Sequence, residues 1–110
     1  MQNYLVLYYA PTEAMQGMAN ATKEEHEAGM AVWMEWHKKN EANIIDLGAP
    51  LMPGVSTTDT NQYTDVMDEL SGYSVVKAEN MDGAKELLKG HPHIGWAPGC
   101  RIEIRPCAEM

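Results

Sequence analysis

The chain has 110 residues and ordinary apolar content, enough for one globular domain with a modest core. Eight Lys and Arg stand against sixteen Asp and Glu, a net charge of −8, and the cations form no run. Partners that present phosphate need clustered cations, so nucleic acid and anionic membrane are poor partners for this chain. A small organic ligand or another protein is left.

The N-terminal stretch MQNYLVLYYAP has no basic leader region, and its apolar run of about seven residues is too short to span a membrane. It reads as a first strand, and a cytoplasmic location is expected. Residues 4–9 are an unbroken run of β-formers stopped by Pro11, the pattern of a strand covered on both faces. A short extra helix is expected within 12–20. Thr22 and Glu25 form a capping box, a hydroxyl for the N3 amide and a carboxylate reaching back. A long helix should follow over 23–43. Its imperfect apolar stripe runs along Ala28, Ala31, Val32, Met34 or Glu35, and Ala42, with Trp33, Trp36, His37 and Asn40 on a neighbouring face.

Residues 44–47 read as a second strand, broken by the Gly- and Pro-rich stretch 48–54. Residues 56–65 are polar and carry little pattern, so a loop is expected there, with a brief hairpin strand near 55–58. A third strand covers 73–78. Asn80 caps a second helix whose buried stripe is Met81, Ala84, Leu87 and Leu88, and Gly90 and Pro92 end it. The last strand, 100–105, alternates: Ile102 and Ile104 on one face, Arg101, Glu103 and Arg105 on the other.

The order β-α-β-β-α-β implies an α+β, ferredoxin-like fold in one domain over 1–110. Its four-stranded antiparallel sheet has two helices on one face. The other face is bare, yet the first strand is apolar on both sides. Each large apolar side chain left in water forgoes about 1.5–3 kcal/mol, so homodimerisation through the bare face is expected.

Cys100 and Cys107 would lie about 23 Å apart along an extended strand, beyond disulfide reach, and are read as free thiols. The nine methionines, in a chain without Phe, are adaptable core fillers.

Candidate chemistry centres on His91-Pro92-His93. Two histidines fall short of the three or four ligands of a metal site, and no partner motif exists, so no metal or cofactor is expected. His91 reads as a loop residue at a helix C-terminus, where the dipole favours positive charge. His93 is the candidate general acid or base. Asp46, on an otherwise apolar strand, needs outward exposure or a partner such as a histidine or Arg101. It is the candidate orienter or second acid–base group. Trp33 and Trp36 pack in the core or wall a pocket for a flat ligand. His37 reads as solvated and His26 as surface. Arg101 and Glu103 either form a solvated edge or line an inter-subunit cleft, with Arg101 holding an anionic or carbonyl group. Tyr73 joins them as a ligand-binding candidate.

The stretch LSGYSVVKAENMDGAKELLKGHPHI, followed by RIEIRP, resembles the YCII-related domain family. Trp33-Met-Glu-Trp36 and the turn around Asp46, Gly48, Pro50 and Leu51 resemble the same family, so the resemblance runs from Trp33 to Pro106. It implies a ferredoxin-like homodimer related to dimeric α+β barrels, with a cleft near the sheet and, in some branches, a His–Asp pair. One branch removes chloride from a chlorinated, hydroxylated ring. The Asp-Gly-Pro-Phe motif of another branch is absent; Thr58-Asp-Thr-Asn61 stands nearby. The expected function is binding of a small organic molecule in a homodimer cleft, with cofactor-independent, lyase- or isomerase-like acid–base chemistry. The alternative is a non-enzymatic ligand-sensing or accessory module.

Overall fold

The run that is apolar on both sides becomes an inner strand. In the computed structural model, which describes residues 1–109, this strand is β1 (Gln2–Tyr9). After it come α1 (Thr12–Ala19), α2 (Lys23–Asn40), a 3-10 turn (Glu41–Asn43), β2 (Ile44–Pro50), β3 (Gly54–Asp59) and β4 (Gln62–Val66). The chain closes with β5 (Leu70–Ala78), α3 (Met81–Leu88) and β6 (Arg101–Pro106). The main sheet has four antiparallel strands in the order β2-β5-β1-β6, and β3 and β4 form a separate hairpin. The expected ferredoxin-like α+β architecture is therefore the observed one.

Strand alternation sorts the side chains. Tyr4, Val6 and Tyr8 of β1 face the helices, beside Val76 and Ala78 of β5 and Ile102 and Ile104 of β6. Trp36 of α2 and Ala84 and Leu88 of α3 close this core. The opposite face carries Leu5, Leu7, Tyr9, Tyr73 and Val75, half-buried and uncovered by the described residues, with Arg101, Glu103 and Arg105 at the β6 edge.

The capping box forms as expected: Thr22 Oγ1 accepts from the Glu25 N–H at 3.2 Å. The stripe of α2 differs from expectation. Ala28, Ala31, Val32, Met34 and Ala42 are exposed, and Trp33, Trp36, His37 and Asn40 turn inward. An indole removes far more apolar area from water than an alanine or valine, so the helix rolls to bury its two tryptophans. Residues 56–65 differ in part: the brief hairpin strand expected near 55–58 is β3, but most of the expected loop is the rest of the β3–β4 hairpin. Ser and Thr dominate one side and no core covers the other, so binary patterning gave no strand signal for the remainder. The turn is nevertheless built by a local device, Asp59 Oδ1 accepting the Asn61 N–H at 3.0 Å. No helix among the described residues is long and apolar enough to cross a membrane.

Candidate functional site

After α3, Gly90 adopts a left-handed conformation (φ 71°) and the chain reverses. The His91 N–H donates to the Leu88 carbonyl, and further turns follow from His91 to Ile94 and from His93 to Trp96. These turns send both histidines inward. His91 is 2% exposed and His93 3%. The expected charge-bearing loop histidine is thus a buried one, because the Gly90 turn folds it beneath α2 instead of leaving it at the helix end.

His91 is the centre of an aromatic cluster. The Tyr8 ring stacks on it at 5.0 Å, and the indoles of Trp33 and Trp36 stand nearly perpendicular to it, each at 4.5 Å. His93 packs against Tyr8 at 5.3 Å and against Trp96 at 5.8 Å. Trp36 is anchored by its Nε1–H, which donates to the Leu87 carbonyl at 3.0 Å and ties α2 to the end of α3.

Several polar atoms of the cluster are committed, and one buried atom is not. Tyr8 Oη donates to Ser74 Oγ at 2.9 Å, and Ser74 Oγ donates to the Leu47 carbonyl at 2.7 Å. Burial pushes the Tyr8 phenol up to about 12, against a smaller lowering from Ser74. His93 Nε2 lies 2.8 Å from the Tyr9 carbonyl. Burial lowers the His93 pKa, opposed by hydrogen bonds to backbone of Tyr9 and Arg101. His91 Nδ1 accepts the His93 backbone N–H at 3.0 Å. Burial, and then the neighbouring His93, lower the His91 pKa to about 3. The ring is therefore neutral near pH 7, with its proton on Nε2. That Nε2–H is buried and has no hydrogen-bond partner among the described residues. The perpendicular indoles offer it at most a π face, a weak acceptor.

One wall of the cluster reaches the surface. Trp36, Gly90 and Pro92 line a groove of about 230 Å³ between α2 and the end of α3, so the residues flanking His91 are part of its lining.

The sheet divides the residues expected to form one site. His93, Trp33 and Trp36 come together on the helix side. Tyr73, Arg101 and Glu103 lie on the open face, where the Arg101 guanidinium sits 3.9 Å over the Tyr9 ring. Glu103 bridges Arg101 at 3.0 Å and Arg105 at 2.9 Å, which holds its carboxyl below the usual range. Asp46 joins neither group. It is exposed on β2, at the sheet edge away from β6, and its Oδ1 accepts the Gly48 N–H at 2.9 Å. The pairing of Asp46 with a histidine or with Arg101 is not formed: a two-residue backbone turn satisfies the carboxylate instead. Tyr8, His91 and Ser74 were missed as site residues. Tyr8 and Ser74 stand in strands that read as core; the Gly90 signal for a turn was visible, but not its direction. Among the described residues, no group of three His, Cys, Asp or Glu side chains could hold a metal ion.

No family model matches the chain, and no curated protein matches it in sequence. Among solved structures, it is similar to 5-chloro-2-hydroxyhydroquinone dehydrochlorinase (TftG) from Burkholderia phenoliruptrix AC1100, in complex with 2,5-dihydroxybenzoquinone. The TM-score is 0.52 at 15% identity, over 92% of this chain and 90% of that one. At that identity the likeness concerns the fold, and it agrees with the ferredoxin-like architecture read from the strand order.

Proposed function

We propose that this chain is a YCII-related, small-molecule-binding protein that works as a homodimer. Its ligand is a flat, oxygen-bearing organic molecule taken up against the histidine–aromatic cluster. The observation that carries the reading is the His91 Nε2–H, a buried donor without an acceptor among three aromatic rings. Leaving such a donor unmatched costs about 1–3 kcal/mol. A carbonyl or hydroxyl oxygen on a planar ring would supply the acceptor, and the indoles would supply stacking surface. The quinone in the TftG complex has that chemistry. The uncovered apolar face of the sheet supports the homodimer.

A second reading, a non-enzymatic ligand-sensing or accessory module, is favoured by the engagement of the acid–base candidates. His93 Nε2 is held by a carbonyl and Asp46 by a backbone N–H. Proton transfer through His93 would first require the Tyr9 bond to open.

The test is calorimetric titration of the wild-type protein and of His91→Phe with 2,5-dihydroxybenzoquinone. Phe keeps the ring packing and removes the donor, together with the Nδ1 acceptor of the His93 N–H. Binding by the wild type that falls at least about tenfold in the variant supports the reading. No heat with the wild type, or equal affinity in the two proteins, removes it.

A further inference from the structure

The β3–β4 hairpin has no strand partner among the described residues. Residues 54–65 are exposed, and the two strands pair only with each other. An isolated two-stranded hairpin is marginally stable in water and needs a surface to pack on. The register pairs Val55 with Asp65, and Tyr63 lies two residues from Asp65, so these three share one side. Ser56 and Thr64 occupy the other side. One side is thus apolar and acidic, with Val55 62% and Tyr63 61% exposed, while the other is hydroxyl-bearing apart from half-buried Val66, which pairs with Gly54 at the base of the hairpin.

The dimensions of the chain point the same way. Its accessible surface is 7921 Å², whereas a folded monomer of 12.2 kDa exposes about 6,100 Å². The excess of about 1,800 Å² is larger than the roughly 800 Å² that each partner buries in a standard interface. The radius of gyration is 15.4 Å, against about 13 Å for a compact domain of this length. Charge indicates where the hairpin docks. It carries Asp59 and Asp65 and no cation, and neither aspartate is ion-paired among the described residues. On the open face, β6 carries Arg101 and Arg105 against Glu103 alone, an excess of one positive charge in a strongly acidic chain.

We propose that the hairpin is an intermolecular arm. It lays its Val55–Tyr63–Asp65 side on a second copy of this chain, along the Arg101–Arg105 face of β6, and the two-fold symmetry of a dimer repeats the contact. This inference rests on the homodimer reading and adds what the arm does within it.

Sedimentation of the full chain at about 100 µM and in a dilution series tests it. The wild type is expected to be a dimer. Val55→Ser/Tyr63→Ser should weaken the dimer at least about tenfold with an unchanged far-UV spectrum. Asp65→Arg and Arg105→Glu should each weaken it, and the combined charge swap should restore it to within about threefold of wild type. If Leu7→Asp breaks the dimer while the hairpin variants associate as tightly as wild type, the arm is overturned and dimerisation through the sheet face stands. If the swap fails to restore association, the β6 docking site is overturned. A wild-type monomer overturns the homodimer and the arm together.

Discussion

The backbone N–H of His93 donates to Nδ1 of His91 at 3.0 Å, and this bond decides which proton the buried imidazole keeps. With Nδ1 accepting, a neutral ring must carry its hydrogen on Nε2. Protonation of Nδ1 would break the bond and place a charge among aromatic rings.

Stability should therefore fall with acid. His91 is held at about 3 by burial and by His93, while an unfolded chain titrates it near about 6.5. Below that value the unfolded state takes up a proton that the folded state refuses. The loss should run from about pH 6.5 to pH 3, at up to about 1.4 kcal/mol per pH unit for one group. His93, lowered by burial, acts in the same direction, and Glu103 adds as pH falls into and below the ordinary carboxylate range. Urea unfolding between pH 4 and pH 7 measures this, and His91→Phe should reduce the slope by about one proton. Equal slopes for the two proteins would show that the His91 ring is solvated.

The Tyr8–Ser74–Leu47 chain predicts an asymmetry between two substitutions. Tyr8→Phe removes one donor and leaves Ser74 bonded to the Leu47 carbonyl, a loss of about 1 kcal/mol. Ser74→Ala strands both the buried phenol and its share of the carbonyl, and should cost about 2–3 kcal/mol. Denaturant midpoints for the two variants test the order. With the Tyr8 phenol raised to about 12, the tyrosinate absorbance of the wild type should lag that of Tyr8→Phe by nothing near pH 10 and show one extra group near pH 12. An extra group near pH 10 would place Tyr8 in water.

Much of this architecture was legible in the chain. The two-sided run at β1, the Thr22–Glu25 cap, the Asn80 cap and the Ile102–Ile104 alternation each carry a local physical signal, and together they dictate the strand order. The inward face of α2 was misjudged because its small apolar residues outnumber its tryptophans, while burial follows area. The full hairpin, β4 above all, was hidden because neither of its sides has a core to face. His91 was hidden because its burial depends on the path of the chain after Gly90, which no periodicity reports. The division of the expected site residues by the sheet is likewise a property of register. Tyr9 pairs with Arg101, so the Tyr9 carbonyl meets His93 on one side while the Tyr9 ring meets Arg101 on the other.

The turn at Asp46 and Gly48 separates a side-chain contribution from a backbone one. Gly48 has φ 81°, and a Cβ there would fall 1.7 Å from the Tyr73 carbonyl oxygen and 2.6 Å from its carbon. Both atoms belong to the backbone of β5, the strand that pairs with β2, so neither can swing aside. Gly48→Ala must push β2 away from β5, and with the left-handed strain it should cost about 3 kcal/mol or more. In a domain of this size that lowers Tm by more than about 10 °C. Asp46→Ala removes only one exposed hydrogen bond to the same turn and should cost about 1 kcal/mol or less. Thermal unfolding of the two variants gives the comparison. A larger loss for Asp46→Ala than for Gly48→Ala would mean that the carboxylate has a buried partner, and that Asp46 does more than build its own turn.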